Sequence, residues 1–197
     1  MSDCECADYM YYWDKLLISH FCIDTDKPKE MHCNKTKTLK VFHAPNHPYI
    51  KGTNFLQSAV ERFKSEGYSI DLIILQKVPN HVIMEAISES DIVADQFVIG
   101  WYAMFAIEGM AMGKPVLCYL REDLLELYRN VGLLDKDEPP IINCRINQIY
   151  DKLKWIMENR EILDEIGEKG RKYVLKHHSI ESMSKIFRDC IRSVLSA

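Results

Sequence analysis

The 197-residue chain has no apolar run near the ~20 residues that a membrane-spanning helix needs. Its opening residues lack the basic-then-apolar pattern of a secretory signal, so a cytoplasmic location is expected. Basic charge is not in excess: 25 Lys and Arg face 29 Asp and Glu, a formal net charge of −4. That balance gives no global electrostatic footprint for nucleic acid, and none is expected as a partner. Paired CxxC spacings are also missing. The seven cysteines, Cys4, Cys6, Cys22, Cys33, Cys118, Cys144 and Cys190, are irregularly spaced and read as reduced thiols. Cys4, Cys6 and Cys22 with His20, His32 and Cys33 can be drawn as a zinc site, but without paired spacing no metal is expected. No internal repeat or low-complexity tract is visible.

What the chain does contain is alternating strand and helix signals. Residues 7–22 are aromatic-rich and predict a helix, and 23–38 form a polar approach segment interrupted by Pro28. From Leu39 the pattern becomes strand 39–44, helix 54–66 stopped by Gly67, strand 71–76, helix 81–88, and strand 91–95. A helix over 101–112, a strand over 116–120, a helix over 122–131 and a short strand at Ile141-Ile142 follow. Residues 146–197 read as almost wholly helical, broken at Gly167, Gly170 and the His177-His178-Ser179 corner. The expected fold class is α/β: a Rossmann-like three-layer sandwich of about five mostly parallel strands with a helical C-terminal region. Residues 1–38 are an N-terminal helix and approach segment, and 39–197 are one ligand-binding domain.

Ligands of such a sheet bind beyond the carboxyl ends of the strands. Three loops there are unusual: His43 to Gly52, Lys77 to Asn80, and Gln96 to Trp101. The first, His43 to Gly52, runs into a helix N-terminus, where free backbone N–H groups and the helix dipole attract anions, and it places Lys51 beside Gly52. Between Lys27 and Lys51 there are six Lys against one Glu, which strengthens an anion reading over that of a solvated basic loop. The third loop brings Gly100, Trp101 and Tyr102 to the start of the central helix as ligand contacts, or equally as core or interface aromatics. Glu108 is the one carboxylate in that apolar helix, and burial there demands hydrogen-bond donors, from a ligand or from neighbouring protein groups. His43 and His47 are candidate bases, though loop histidines more often pack or hydrogen-bond; catalytic residues stay unassigned.

The runs VFHAPNHPYIKGT, SDIVADQF, GWYAMFAIEGMAMGKPV and GEKGRKYVLKHHS, preceded by Ile23-Asp24-Thr25-Asp26, resemble the C-terminal donor-binding half of the two-domain GT-B glycosyltransferases, in the retaining "group 1" family. The resemblance extends from Ile23 to the end. It implies that the domain binds a nucleotide-diphosphate sugar as substrate, with no cofactor, for transfer to a carbohydrate or lipid acceptor in polysaccharide biosynthesis. Lys51 with Gly52 would hold phosphate, Glu108 the ribose, and Val78, Pro79 and Asn80 would lie near the base. Two positions depart from the family pattern. The first of its two signature glutamates falls on Gly100, and Asn46 stands where an Arg is usual, which removes a donor-sugar contact and a phosphate charge.

The resemblance further implies a missing N-terminal acceptor domain, little activity of this chain alone, and peripheral membrane association of a full-length enzyme. Unsupported apolar surface on residues 7–22 or on the last helix, 181–195, would drive self-association unless it packs on the domain. Two other readings stand beside it. One is a non-catalytic nucleotide-binding or scaffolding domain of the same fold. The other is a phospho-receiver with Asp95 as phosphoacceptor, although His43-Ala44-Pro45 supplies no acidic pair after strand one.

Overall fold

The computed structural model describes residues 17–26, 28 and 37–195. Five strands, β1 (Leu39–His43), β2 (Ile70–Ile74), β3 (Ile92–Ala94), β4 (Val116–Cys118) and β5 (Ile142–Asn143), form one sheet in the order β2-β1-β3-β4-β5. Every neighbouring pair is parallel. The helices are α1 (Pro48–Lys51), α2 (Thr53–Ser65), α3 (Asn80–Glu89), α4 (Met104–Ala111), α5 (Glu122–Asn130), α6 (Ile149–Glu158), α7 (Leu163–His177) and α8 (Ile180–Leu195).

Covering helices on both sides explain why the central strands read as continuous apolar runs rather than alternating ones. Phe42, Val93, Val116 and Cys118 point to the face packed by α3, α4, α5 and α7. Their strand neighbours Val41, Ile92, Ala94 and Leu117 point to the face packed by α2 and α6. Period-two geometry thus feeds two cores from one run of side chains. The expected three-layer α/β class is the one observed.

The sheet order also locates the binding edge. The crossover through α2 carries the chain from β1 outward to β2, and the crossover through α3 carries it back past β1 to β3. The loops after β1 and β3 therefore part in opposite directions, and at such a switch point a crevice opens beyond the strand ends.

Several boundaries differ from the sequence expectation. Residues 7–16 lie outside the described residues, and 17–22 form no helix. Instead 17–23 is a strap laid over the domain, because its polar groups find partners on distant elements: Ile23 N–H donates to His178 O at 2.9 Å, and Tyr128 Oη donates to Ser19 O at 3.4 Å. The central helix starts at Met104 rather than at 101, since Trp101 and Tyr102 belong to the loop that precedes it. Gly167 and Gly170 do not break the C-terminal region; both lie inside the continuous α7. They are there for close approach. A Cβ on Gly167 would lie 1.8 Å from Gly113 O, and one on Gly170 3.2 Å from Met110 Cγ, so α7 presses against α4 and the turn after it. The break at 177–179 is present, and a second lies at Arg160–Ile162, where Arg160 reaches the buried Asp91 at 3.0 Å.

On the α4 side the strap and the 177–178 corner share a buried cluster. His178 Nδ1 donates to Phe21 O at 2.6 Å, which leaves Nε2 to accept from Tyr102 Oη at 3.1 Å. Tyr102 Oη also meets Tyr173 Oη at 2.6 Å, and His20 Nε2 donates to Leu133 O at 3.0 Å. Burial pushes His20 down to about 4, against a weaker raising effect of the Leu133 carbonyl. Burial, with the nearby His20, pushes His178 down to about 3. α8 is different. It buries Met183, whereas Phe187 (50 %), Ile191 (55 %), Val194 (65 %) and Leu195 (82 %) are exposed.

Two outcomes follow from this packing. Gly167→Ala is expected to lower unfolding free energy by about 3 kcal/mol, since backbone rather than a side-chain tip must move; denaturant unfolding measures it, and an unchanged midpoint contradicts the close approach. Because His20 and His178 have folded pKa values below the unfolded value of 6.5, their contribution is complete above pH 6.5 and is lost as pH falls towards 4 and 3. Stability at pH 4.5 should fall by on the order of 2 kcal/mol for each histidine. A His178→Gln chain should show a flatter profile between pH 7 and 4.5.

Candidate functional site

Beyond the carboxyl ends of β1, β2 and β3 lies a cavity of about 510 Å³, within the usual range for small-ligand sites. Asn46 and Lys51 enter it from the loop after β1, Gln76, Lys77 and Val78 from the loop after β2, Asn80 and Ile83 from α3, and Met104, Phe105 and Glu108 from α4. Phe21 of the strap closes another side. Five of the residues expected from sequence therefore converge: Asn46, Lys51, Val78, Asn80 and Glu108.

Lys51 is held there by a carboxylate. Pro48 at the first position of α1 and the left-handed Gly52 (φ 76°) after it turn the chain twice within five residues. The turn sends Lys51 Nζ to Oδ1 of Asp95, whose side chain is fully buried, while Lys51 is 14 % exposed. The other oxygen, Oδ2, accepts the Ala103 N–H at 2.8 Å, just ahead of α4. Both oxygens of Asp95 are thus engaged and shielded, which rules out a phosphoacceptor role.

Glu108 shares the cavity-facing side of α4 with Met104, one turn earlier. Asn80 Nδ2 donates to Glu108 Oε1 at 2.9 Å. The donor that the half-buried carboxylate needs comes partly from the protein itself. Burial raises the Glu108 carboxyl above its ordinary 4.5, and the Asn80 hydrogen bond opposes that rise. Among the described residues Oε2 has no hydrogen-bond partner.

The remaining expected residues take other places. Trp101 (1 % exposed) and Tyr102 (3 %) are core aromatics, stacked with ring centroids 5.1 Å apart, and their side chains do not line the cavity. The reason is the Gln96 side chain, which folds the loop inward: its Oε1 accepts the Ile99 N–H at 2.9 Å and its Nε2 donates to Trp101 O. Gly52 is buried beside Phe97 and Val98, off the cavity wall. Pro79 is the N-cap of α3 and does not line the cavity. Gly100 has φ 96°, and a Cβ there would lie 2.3 Å from Arg121 Cγ, so both backbone and packing demand glycine. His43 is fully buried, with Nδ1 donating to Ala94 O at 2.7 Å and Nε2 accepting from Thr53 Oγ1 at 2.8 Å. Burial lowers its pKa, and with both nitrogens occupied it is structural rather than a base. His47 is the exposed N-cap of α1. For the imagined zinc set, Cys4, Cys6, His32 and Cys33 lie outside the described residues, and His20 belongs to the buried Tyr–His cluster.

Sequence reasoning passed over Phe21 and Gln76, and it placed Lys77 only as the first residue of the loop after strand two, with no role of its own. Lys77 has φ 56°, a left-handed conformation that is uncommon for a side chain larger than glycine. Of the two lysines on the cavity wall, Lys51 is paired with Asp95, and Lys77 has no carboxylate partner among the described residues. Its place at the end of a predicted strand was the available signal; its strained backbone was not legible. A larger cavity, about 570 Å³, lies between β5, α6 and α7, but its lysines are engaged: Lys152 sits over the Trp155 ring and Lys169 pairs with Glu165 at 2.7 Å. The smaller cavity is the better candidate because a raised carboxyl, a strained cation and the switch point coincide there.

The pairing of Lys51 with Asp95 sets a test. Lys51→Ala leaves a buried carboxylate without its cation and should destabilise the fold by roughly 3 kcal/mol. Adding Asp95→Asn should recover part of that loss; additive losses in denaturant unfolding would show that the two side chains are not coupled.

No protein-family model and no curated protein sequence matches the chain. Solved structures do share its fold. A glycosyltransferase of Rickettsia africae superposes with a TM-score of 0.69 at 14% identity, over 92% of this chain and 58% of that one. The sucrose-phosphate synthase of Thermosynechococcus elongatus gives 0.67 at 12% identity, over 99% and 57%. HepE of Anabaena, in complex with UDP and glucose, gives 0.62 at 10% identity, over 90% and 56%. The chain thus spans 56–58% of the length of these structures, and what it shares with them is the Rossmann-like α/β fold of glycosyltransferases.

Proposed function

We propose that the chain is the donor-binding domain of a glycosyltransferase of GT-B type, in the retaining group 1 family, and that it binds a nucleotide-diphosphate sugar in the cavity beyond β1, β2 and β3. The carrying observation is that Glu108, backed by Asn80, and Lys51, backed by Asp95, converge on one cavity at the switch point of a parallel sheet. Glu108 accepts hydroxyl groups of the ribose through its free oxygen, Lys77 and Lys51 face the diphosphate, and Val78 lies near the base. The UDP-bound state of HepE supports this reading, since that protein shares the fold.

The acceptor half belongs to another domain or chain, so this chain alone binds donor and transfers nothing, because transfer requires both substrates in reacting geometry. The exposed apolar side of α8 supports self-association of the isolated chain. One observation favours the second reading, a nucleotide-binding domain without catalysis: Gly100 cannot be replaced by a carboxylate while Arg121 packs against it. Calorimetric titration with nucleoside diphosphates, followed by transfer assays with the acceptor half supplied, separates the two. Absence of binding to any nucleoside diphosphate overturns both.

If ionised Glu108 accepts ribose hydroxyls, affinity for UDP should fall on acidification, through a titration lying above the ordinary glutamate value of 4.5. Glu108→Gln should bind more weakly at pH 7, by about 1 to 2 kcal/mol, and lose that titration while melting normally. A variant that binds UDP as the parent does, with an unaltered pH profile, would remove Glu108 from the site.

A further inference from the structure

We propose that Phe21 is the stacking platform for the base of the bound nucleotide, an assignment that rests on the donor-site reading above. Phe21 lies far from the other lining residues in sequence, yet it lines the same cavity as Val78, Asn80, Ile83 and Glu108. It is 46 % exposed, although its neighbour His20 is 3 % exposed. His20 turns into the domain and Phe21 turns out over the cavity.

The strap is held firmly enough to keep the ring there. The Phe21 carbonyl accepts from His178 Nδ1 at 2.6 Å, the Ile23 N–H donates to His178 O at 2.9 Å, and His20 Nε2 donates to Leu133 O at 3.0 Å. These bonds fix the backbone on both sides of Phe21, so little freedom remains to be lost when a ligand arrives. The Phe21 side chain itself has no role in that anchoring, because every bond runs through the backbone or through its neighbours.

The chemistry of the surroundings fits a planar heteroaromatic ring. Such a ring has apolar faces and hydrogen-bonding edges. Phe21, Val78 and Ile83 offer apolar surface. The amides of Gln76 and Asn80 are on the same wall: each nitrogen gives one hydrogen bond within the protein, to Asn46 O at 3.3 Å and to Glu108 Oε1 at 2.9 Å, which leaves the amide oxygens and a second N–H of each for an edge. Stacking on an aromatic face is tolerant of base identity, because every base presents a π-face. The site would therefore take its discrimination among bases from the amide edge rather than from Phe21.

Calorimetry on the full chain tests this with uridine diphosphate and with inorganic pyrophosphate measured as its competitor. Phe21→Ala is expected to lose roughly ten- to hundred-fold in affinity for uridine diphosphate. Affinity for pyrophosphate should be unchanged, and Phe21→Tyr should retain nearly all of the parent's affinity for both. Unchanged binding of uridine diphosphate by Phe21→Ala overturns the assignment, as does an equal loss for pyrophosphate, which would mean that Phe21 only shapes the cavity. A parent chain that binds no nucleoside diphosphate overturns the donor-site reading itself and the assignment with it.

Discussion

Asp95 is the constraint on which the rest of the site depends. It sits at the end of β3, fully buried, and its two oxygens hold two different segments: Lys51 from the loop after β1 and the Ala103 N–H ahead of α4. These segments are the two that part at the switch point of the sheet. A charge in that position is costly unless both oxygens are satisfied, and satisfying them ties the two lips of the crevice together. The position of α4, and with it Glu108, follows from this clasp. So does the position of Lys51, which carries its charge to the cavity wall already paired.

A second set of buried polar groups does for the strap what Asp95 does for the loops. Tyr173 donates to Tyr102 and Tyr102 to His178, His20 lies against the Tyr102 hydroxyl, and the two histidines donate to the carbonyls of Phe21 and Leu133. The network joins the corner between α7 and α8 to residues 17–23, and Tyr102 sits within the loop that leads into α4. The strap that brings Phe21 to the cavity is consequently held in place by the C-terminal helices. Burial keeps the histidines neutral, and neutral rings are what this arrangement needs, since His178 Nε2 must accept from Tyr102.

The departures at positions 46 and 100 differ in physical character. Asn46 is an exposed loop residue on the cavity wall, where another side chain would fit without rearranging the core. Gly100 is bound into the fold by its positive φ and by the stem of Arg121. The loss of a charge at the first site is a matter of side-chain chemistry, whereas the absence of a carboxylate at the second is imposed by the path of the backbone.

Much of the architecture was determined by the sequence alone, because strands buried on both faces and amphipathic helices leave strong local patterns. The five strands, the stop at Gly67 and the corner at 177–179 are all legible in residue order, and Glu108 stands out as a carboxylate in an apolar helix. Five of the expected site residues meet at the cavity for the same reason: in a parallel sheet, every loop after a strand shares one edge. Tertiary structure decided what local pattern cannot carry. Gly167 and Gly170 look like helix breaks until α4 is pressed against them, and Trp101 and Tyr102 look like ligand contacts until Gln96 folds their loop into the core. Residues 17–22 look helical by composition, but the hydrogen bonds that hold them against the domain come from His178 and Tyr128, more than 100 residues away. Partners so distant in sequence leave no periodicity to read, and the place of Phe21 at the cavity is settled only when the chain has closed.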